Sequence, residues 1–216
     1  MKYLSLLFIF FMPFLSIFSQ DGKGLDETLV QMLEEEQAVR KSMSTFYAEW
    51  SGKEEFQSKR DSIVAVMLKI DRANQQFIAN LLDSVGWPGN LTPQANMAIF
   101  MIVQHSPVAY MNKYAPLITE GYRKGYVDSG LYAIFEDRFL MRQNKPQLYG
   151  SQIMNGYVWP IQDLDLLDAR RKEMNLSSHQ EYLDSFKKSG MQINWDKELT
   201  VEELIKILGF SPKDVE

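Results

Sequence analysis

The chain of 216 residues has no cysteine, two histidines and no strong excess of either charge: 23 Lys and Arg stand against 28 Asp and Glu, a formal net charge of −5. The absence of thiols removes disulfides, thiolate metal sites, a cysteine nucleophile and a lipid-modified cysteine. The acidic balance speaks against nucleic acid as a partner, because neutralising phosphates takes a basic surface. With His105 and His179 the only imidazoles, a His-rich zinc site is excluded, and one His with carboxylates is the metal chemistry left open. There is no Gly-rich phosphate loop, His-Glu-x-x-His, Gly-x-Ser-x-Gly or EF-hand loop. No cofactor and no metal is expected. The Asn-x-Ser/Thr triplets at Asn90 and Asn175 read as chance.

One long apolar run is present. Met1-Lys2 precedes sixteen uncharged residues, Tyr3 to Phe18, interrupted by Ser5, Pro13 and Ser16. This run is shorter than the roughly 20 apolar residues of a spanning helix. It reads as a secretory signal peptide over residues 1–20, cleaved after Ser19 or Gln20, with an uncleaved anchor as the alternative. Either way the folded part is expected outside the cytoplasm, periplasmic or secreted, with no membrane span once the leader is gone.

Residues 21–216 read as a single mainly helical domain. Leu29, Met32, Val39, Met43, Phe46 and Trp50 recur at helical spacing, with Glu36 and Arg40 forming an i,i+4 pair. A second stripe, Ile63, Met67, Ile70, Phe77, Leu81 and Val85, follows Ser51-Gly52. Packing of the two as an antiparallel hairpin is expected in preference to a coiled coil between chains. Thr92-Pro93 opens a third helix with seven consecutive apolar residues, Met97 to Val103, which marks it as buried. Ser106-Pro107 is expected to cap and start the fourth, which Pro116 should kink or split. Further helices are expected over about 129–142, 164–175, 177–188 and 200–208, the last with Thr200 and Glu203 as a capping box. Between 147 and 161, strand-favouring residues flank Asn155-Gly156, predicting one small β-hairpin with Met154 opposite Tyr157. The total is about seven or eight helices and one hairpin.

Four polar features stand out. His105 closes the buried third helix, where the negative helix end favours imidazolium and burial favours the neutral ring, a balance suited to a general acid or base. Asp137 or Asp71 is the expected carboxylate to orient it, and the alternative is an internally satisfied core histidine. Arg138, set between Ile134, Phe135 and Met141, calls for a carboxylate, Asp71 or Asp137, unless it grips an anionic ligand. Asp71 and Asn74 fall on or beside an apolar stripe and imply a polar network or a pocket. Gln147, Tyr149 and Gln152 offer amide and phenol groups for an uncharged ligand such as a sugar or peptide, or for stitching the hairpin down.

The ordered succession Asp71-x-x-Asn74, Gly86-Trp87-Pro88, Gln104-His105, Glu136-Asp137-Arg138, Lys145-Pro-Gln-Leu-Tyr-Gly-Ser-Gln152, Pro160-Ile161-x-Asp163 and Asp168-x-Arg170-Arg171 resembles the bacterial family catalogued as domain of unknown function 6624, over about Ile63 to Tyr182. Ser151 stands where relatives carry Thr, and Ser106-Pro107 where several carry an acidic residue. The resemblance implies a bacterial exported protein and carries no activity with it. The expectation is therefore an exported, non-catalytic binding or envelope-associated module, its partner a polar small molecule, sugar or peptide, or an envelope protein. The alternative is a hydrolase-type enzyme with a polar pocket and His105 as general acid/base.

Overall fold

A computed structural model describes residues 22–214, so the expected signal peptide lies outside the described residues. Among the described residues the regular structure is eight α-helices, one short antiparallel strand pair and two single-turn 3-10 helices (Leu164–Leu166 and Pro212–Asp214): α1 (Gly22–Trp50), α2 (Phe56–Val85), α3 (Pro93–Gln104), α4 (Val108–Arg123), α5 (Ser129–Met141), β1 (Ile153–Met154), β2 (Tyr157–Val158), α6 (Leu167–Glu173), α7 (His179–Lys188) and α8 (Val201–Leu208). The fold is mainly helical. Among the described residues no helix is long and apolar enough to cross a membrane.

α3 is the centre. Ala95, Ala98, Ile99, Phe100, Ile102 and Val103 are all buried, as an all-round apolar helix requires. Thr92 caps it by accepting the Ala95 N–H, and Pro93 takes the first turn, where its missing N–H costs nothing. Against it lie α1, through Leu29 and Met32, and α2, through Ile78, Leu81 and Leu82. α4 and α5 close the other side, with Phe135 meeting Phe100 at 6.1 Å. The α1–α2 hairpin forms as expected, but of the α2 stripe only Leu81 is fully buried, Ile78 and Leu82 beside it complete the packed face, and Val85 at the helix end is exposed.

Two local expectations change. α4 is one continuous helix through Pro116, so the proline neither splits it nor ends it. Ser106 does not cap it either: its hydroxyl donates back to the Ile102 carbonyl of α3 at 2.6 Å, the competing local bond that serine makes near helix ends. The hairpin appears in the expected register, Met154 opposite Tyr157, with Asn155 and Gly156 both at positive φ (48° and 81°) as a primed two-residue turn demands. A second, smaller apolar cluster of Trp159, Met141, Val201 and Leu204 seats α8 against the hairpin and the end of α5. α5 therefore stands between two surroundings, the helical core and the hairpin.

Candidate functional site

A cavity of about 460 Å³ opens where the C-terminus of α3 meets α1, α2 and α5. It is lined by Arg40, Asp71, Arg72, Gln104, His105, Arg138 and Arg142, among others. His105 is the residue at which α3 ends, its backbone N–H capping the Met101 carbonyl, so the helix delivers the ring to the cavity edge. Its Nδ1 lies 2.5 Å from Oε1 of Glu36. Nε2 makes no hydrogen bond among the described residues and is not sealed from the cavity. Glu36 is 1% exposed, and its remaining contacts are Arg40 Nη1 at 2.9 Å and the Gln37 amide at 2.5 Å. Arg40 also grips Asp71 with both terminal nitrogens, at 3.1 and 3.2 Å.

This arrangement fixes protonation states. Burial pushes the His105 pKa down, and the positive charges of Arg40 and Arg138 push the same way; the hydrogen bond and charge of Glu36 pull against them without prevailing. Burial would raise Glu36, but the His105 hydrogen bond, the charges of His105 and Arg40 and the Gln37 amide together hold it below its ordinary value. A buried carboxylate thus accepts the Nδ1–H of a neutral ring, which leaves the lone pair on Nε2.

Arg138 departs from expectation. Neither Asp71 nor Asp137 pairs with it, and its one polar contact among the described residues is the donation from Nε to the Gln152 side-chain oxygen at 3.4 Å. Burial, then repulsion from Arg142 and Arg40, pulls its pKa down to about 10, so it stays charged at neutral pH. Burial likewise lowers Arg142. The buried Gln104 adds a side-chain oxygen that meets no donor. Four guanidinium groups line a space whose carboxylates, among the described residues, are Asp71, clamped by Arg40, and Glu36 behind His105.

Asp137 faces the other way and orients no histidine. It is fully buried, and its carboxylate accepts the backbone N–H groups of Leu148 (2.7 Å), Tyr149 (2.9 Å) and Ser151 (2.8 Å). The carbonyls of that same segment are taken in turn: Leu148 by Arg170, Tyr149 by Arg171, Gly150 by His179 and Ser151 by Tyr182. Gln147 uses its amide to bond the Gln152 and Trp159 carbonyls and to accept the Gln152 N–H. Tyr149 donates its hydroxyl to Glu136. Gly150 needs its hydrogen side chain twice over, for φ of 70° and because a Cβ would sit 2.6 Å from His179 Cδ2.

Of the residues expected to form a site, the structure brings His105, Asp71 and Arg138 to one cavity. Gln152 reaches Arg138 from a second hollow of about 630 Å³, which it lines with Ser151, Tyr182 and Phe186. Gln147 and Tyr149 line neither, and Asn74 is buried with an amide nitrogen that meets no acceptor.

Residues 23–193 match a family described as a family of unknown function (DUF6624). The chain belongs to DUF6624. No curated protein and no solved structure matches it. The DUF6624 match begins before the motifs that first suggested the family and takes in α1, hence Glu36 and Arg40. Both were legible only as an i,i+4 pair on the helix. Glu36 stands at the one stripe position between Met32 and Val39 that is not apolar, and a carboxylate on a buried stripe is the signal that marks it.

Proposed function

We propose that this DUF6624 protein is an exported binding module whose cavity holds a small molecule through a carboxylate or phosphate group. Arg138 carries the reading. A partly buried guanidinium with no carboxylate partner among the described residues is costly in an empty fold and favourable once an anion sits against it. The net charge of the chain is negative, so concentrating arginines here is a local departure from the overall balance. The leader-like first twenty residues support export, and the absence of a basic surface excess argues for a small ligand over nucleic acid. A sugar-type ligand is less well supported, because the amides expected to read it, Gln147 above all, are used up within the hairpin.

Isothermal titration of the full chain with succinate, inorganic phosphate and glucose tests this reading. Heat with at least one anion and none with glucose is expected, with affinity falling at least tenfold in Arg138→Gln. Binding of glucose alone, or anion binding untouched by the substitution, would overturn it. Fractionation of cells expressing the full chain tests export, and a cytoplasmic product of unchanged length would contradict it.

A further inference from the structure

We propose that the arginine-lined cavity hydrolyses a carboxylic ester that carries a second, anionic group, with His105 as general base and Glu36 as its positioning residue. The inference rests on the anion-binding reading above and adds chemistry to it. Its geometric basis is the order Glu36, His105, cavity. The carboxylate is buried and held by Arg40 and Gln37, the Nδ1 contact fixes the ring's tautomer and direction, and Nε2 is left open on the ligand side. A base oriented in this way from behind is the general requirement for activating a water or hydroxyl.

The reaction balances with water as the only co-reactant. Nε2 takes one proton from a water whose oxygen bonds to the ester carbonyl carbon, and the carbonyl π electrons move onto oxygen. The tetrahedral oxyanion develops in a wall of guanidinium groups, where a preplaced positive charge is worth most. On collapse the carbonyl re-forms, the acyl C–O bond breaks, and the leaving alkoxide takes the proton back from the His105 imidazolium. A carboxylic acid and an alcohol leave, and the histidine returns neutral.

A single imidazole decides between ester classes. At an acyl carbon one base receives and returns the proton on the same side of the intermediate. In-line displacement at phosphorus puts nucleophile and leaving group on opposite sides and calls for a second proton-transfer group. Among the described residues the other ionisable groups lining this cavity are the four arginines and Asp71, which is held by Arg40 with both oxygens. The anionic second group follows from Arg138, which meets no carboxylate among the described residues, and from Arg72, which lines the same cavity.

The test uses the full chain with the 4-nitrophenyl monoester of succinic acid, 4-nitrophenyl acetate as its neutral counterpart, and succinate binding by calorimetry. The expected result is turnover of the anionic ester at least tenfold better in kcat/KM than the neutral one, with Arg138→Gln removing that preference through KM. His105→Gln should lower kcat about 100-fold or more, and added imidazole should restore part of the rate to His105→Ala. The charged groups facing the ring are Glu36 and Arg40 from α1, Asp71 and Arg72 from α2, and Arg138 and Arg142 from α5. Glu36→Gln removes the one that supports the imidazolium most directly, so the rate–pH midpoint should move to lower pH, which a merely structural glutamate would not cause. Wild-type turnover no faster than buffer, with succinate still bound, would overturn catalysis and leave binding standing. Absence of succinate binding as well would overturn both, and full activity in His105→Gln would overturn the assignment of the base.

Discussion

Asp137 and Arg138 are neighbours on α5 and end in opposite circumstances. Asp137 turns toward the hairpin, where three backbone N–H groups meet its two oxygens and the carbonyls of the same four-residue segment are claimed by Arg170, Arg171, His179 and Tyr182. Arg138 turns toward the cavity, where other arginines crowd it and one long amide contact is its only polar partner among the described residues. Both regions are rich in polar side chains at the edge of the core. What separates them is satisfaction: around Asp137 the backbone groups of the segment are matched and the buried Nδ1 of His179 is the one side-chain atom left over among the described residues, whereas a charge without its partner has something left to bind.

The widest gap between the two regions should open with Asp137→Ala. Three partly buried N–H groups lose their buried acceptor, and at about 1–3 kcal/mol for each unsatisfied group a loss of about 3–5 kcal/mol is expected in urea unfolding, after partial relaxation. Gly150→Ala comes next, because the added methyl both strains a positive φ and collides with His179 and with Ile161 Cδ1 at 2.9 Å; about 3 kcal/mol is expected by the same measurement. A loss below about 1 kcal/mol in either would break the comparison from the hairpin side.

Acid should discriminate as well. Burial first, then the charge of Arg171, holds His179 down to about 4, against 6.5 for an unperturbed ring. Between those values the unfolded chain binds a proton that the folded chain refuses. Stability is therefore present above pH 6.5 and is lost as pH falls toward 4, by roughly 2–3 kcal/mol at pH 4.5. His179→Gln should flatten that part of the profile. An equal slope in the variant would mean that the acid sensitivity resides elsewhere.

Much of this is legible in the sequence. Helix positions follow from apolar spacing because each stripe is continuous, and Asn155-Gly156 specifies a turn through backbone sterics alone. His105 was placed correctly at the end of α3 because a run of seven apolar residues leaves a buried helix one polar exit. Partnership was the illegible part. Asp71, Asp137 and Glu36 were all within plausible reach of a histidine or arginine, and which carboxylate pairs with which cation depends on how α1 and α2 cross α3, a long-range property that no local pattern encodes. The segment Pro146 to Gln152 misled for a related reason. Amide and phenol side chains look the same in a sequence whether they face a ligand or, as Gln147 does, their own backbone.

The smallest expected change in stability is the most telling. Arg138→Gln replaces a cation that repels Arg142 and Arg40 with a neutral amide, so its removal should leave stability within about 0.5 kcal/mol of wild type or raise it by up to about 1 kcal/mol. The direct test of the contrast is to record the thermal midpoint and the succinate affinity of Arg138→Gln together. An unchanged or raised midpoint with affinity reduced at least tenfold is the predicted result. A midpoint lowered as far as that of Asp137→Ala, with binding intact, would contradict it and make Arg138 a structural residue like its neighbour.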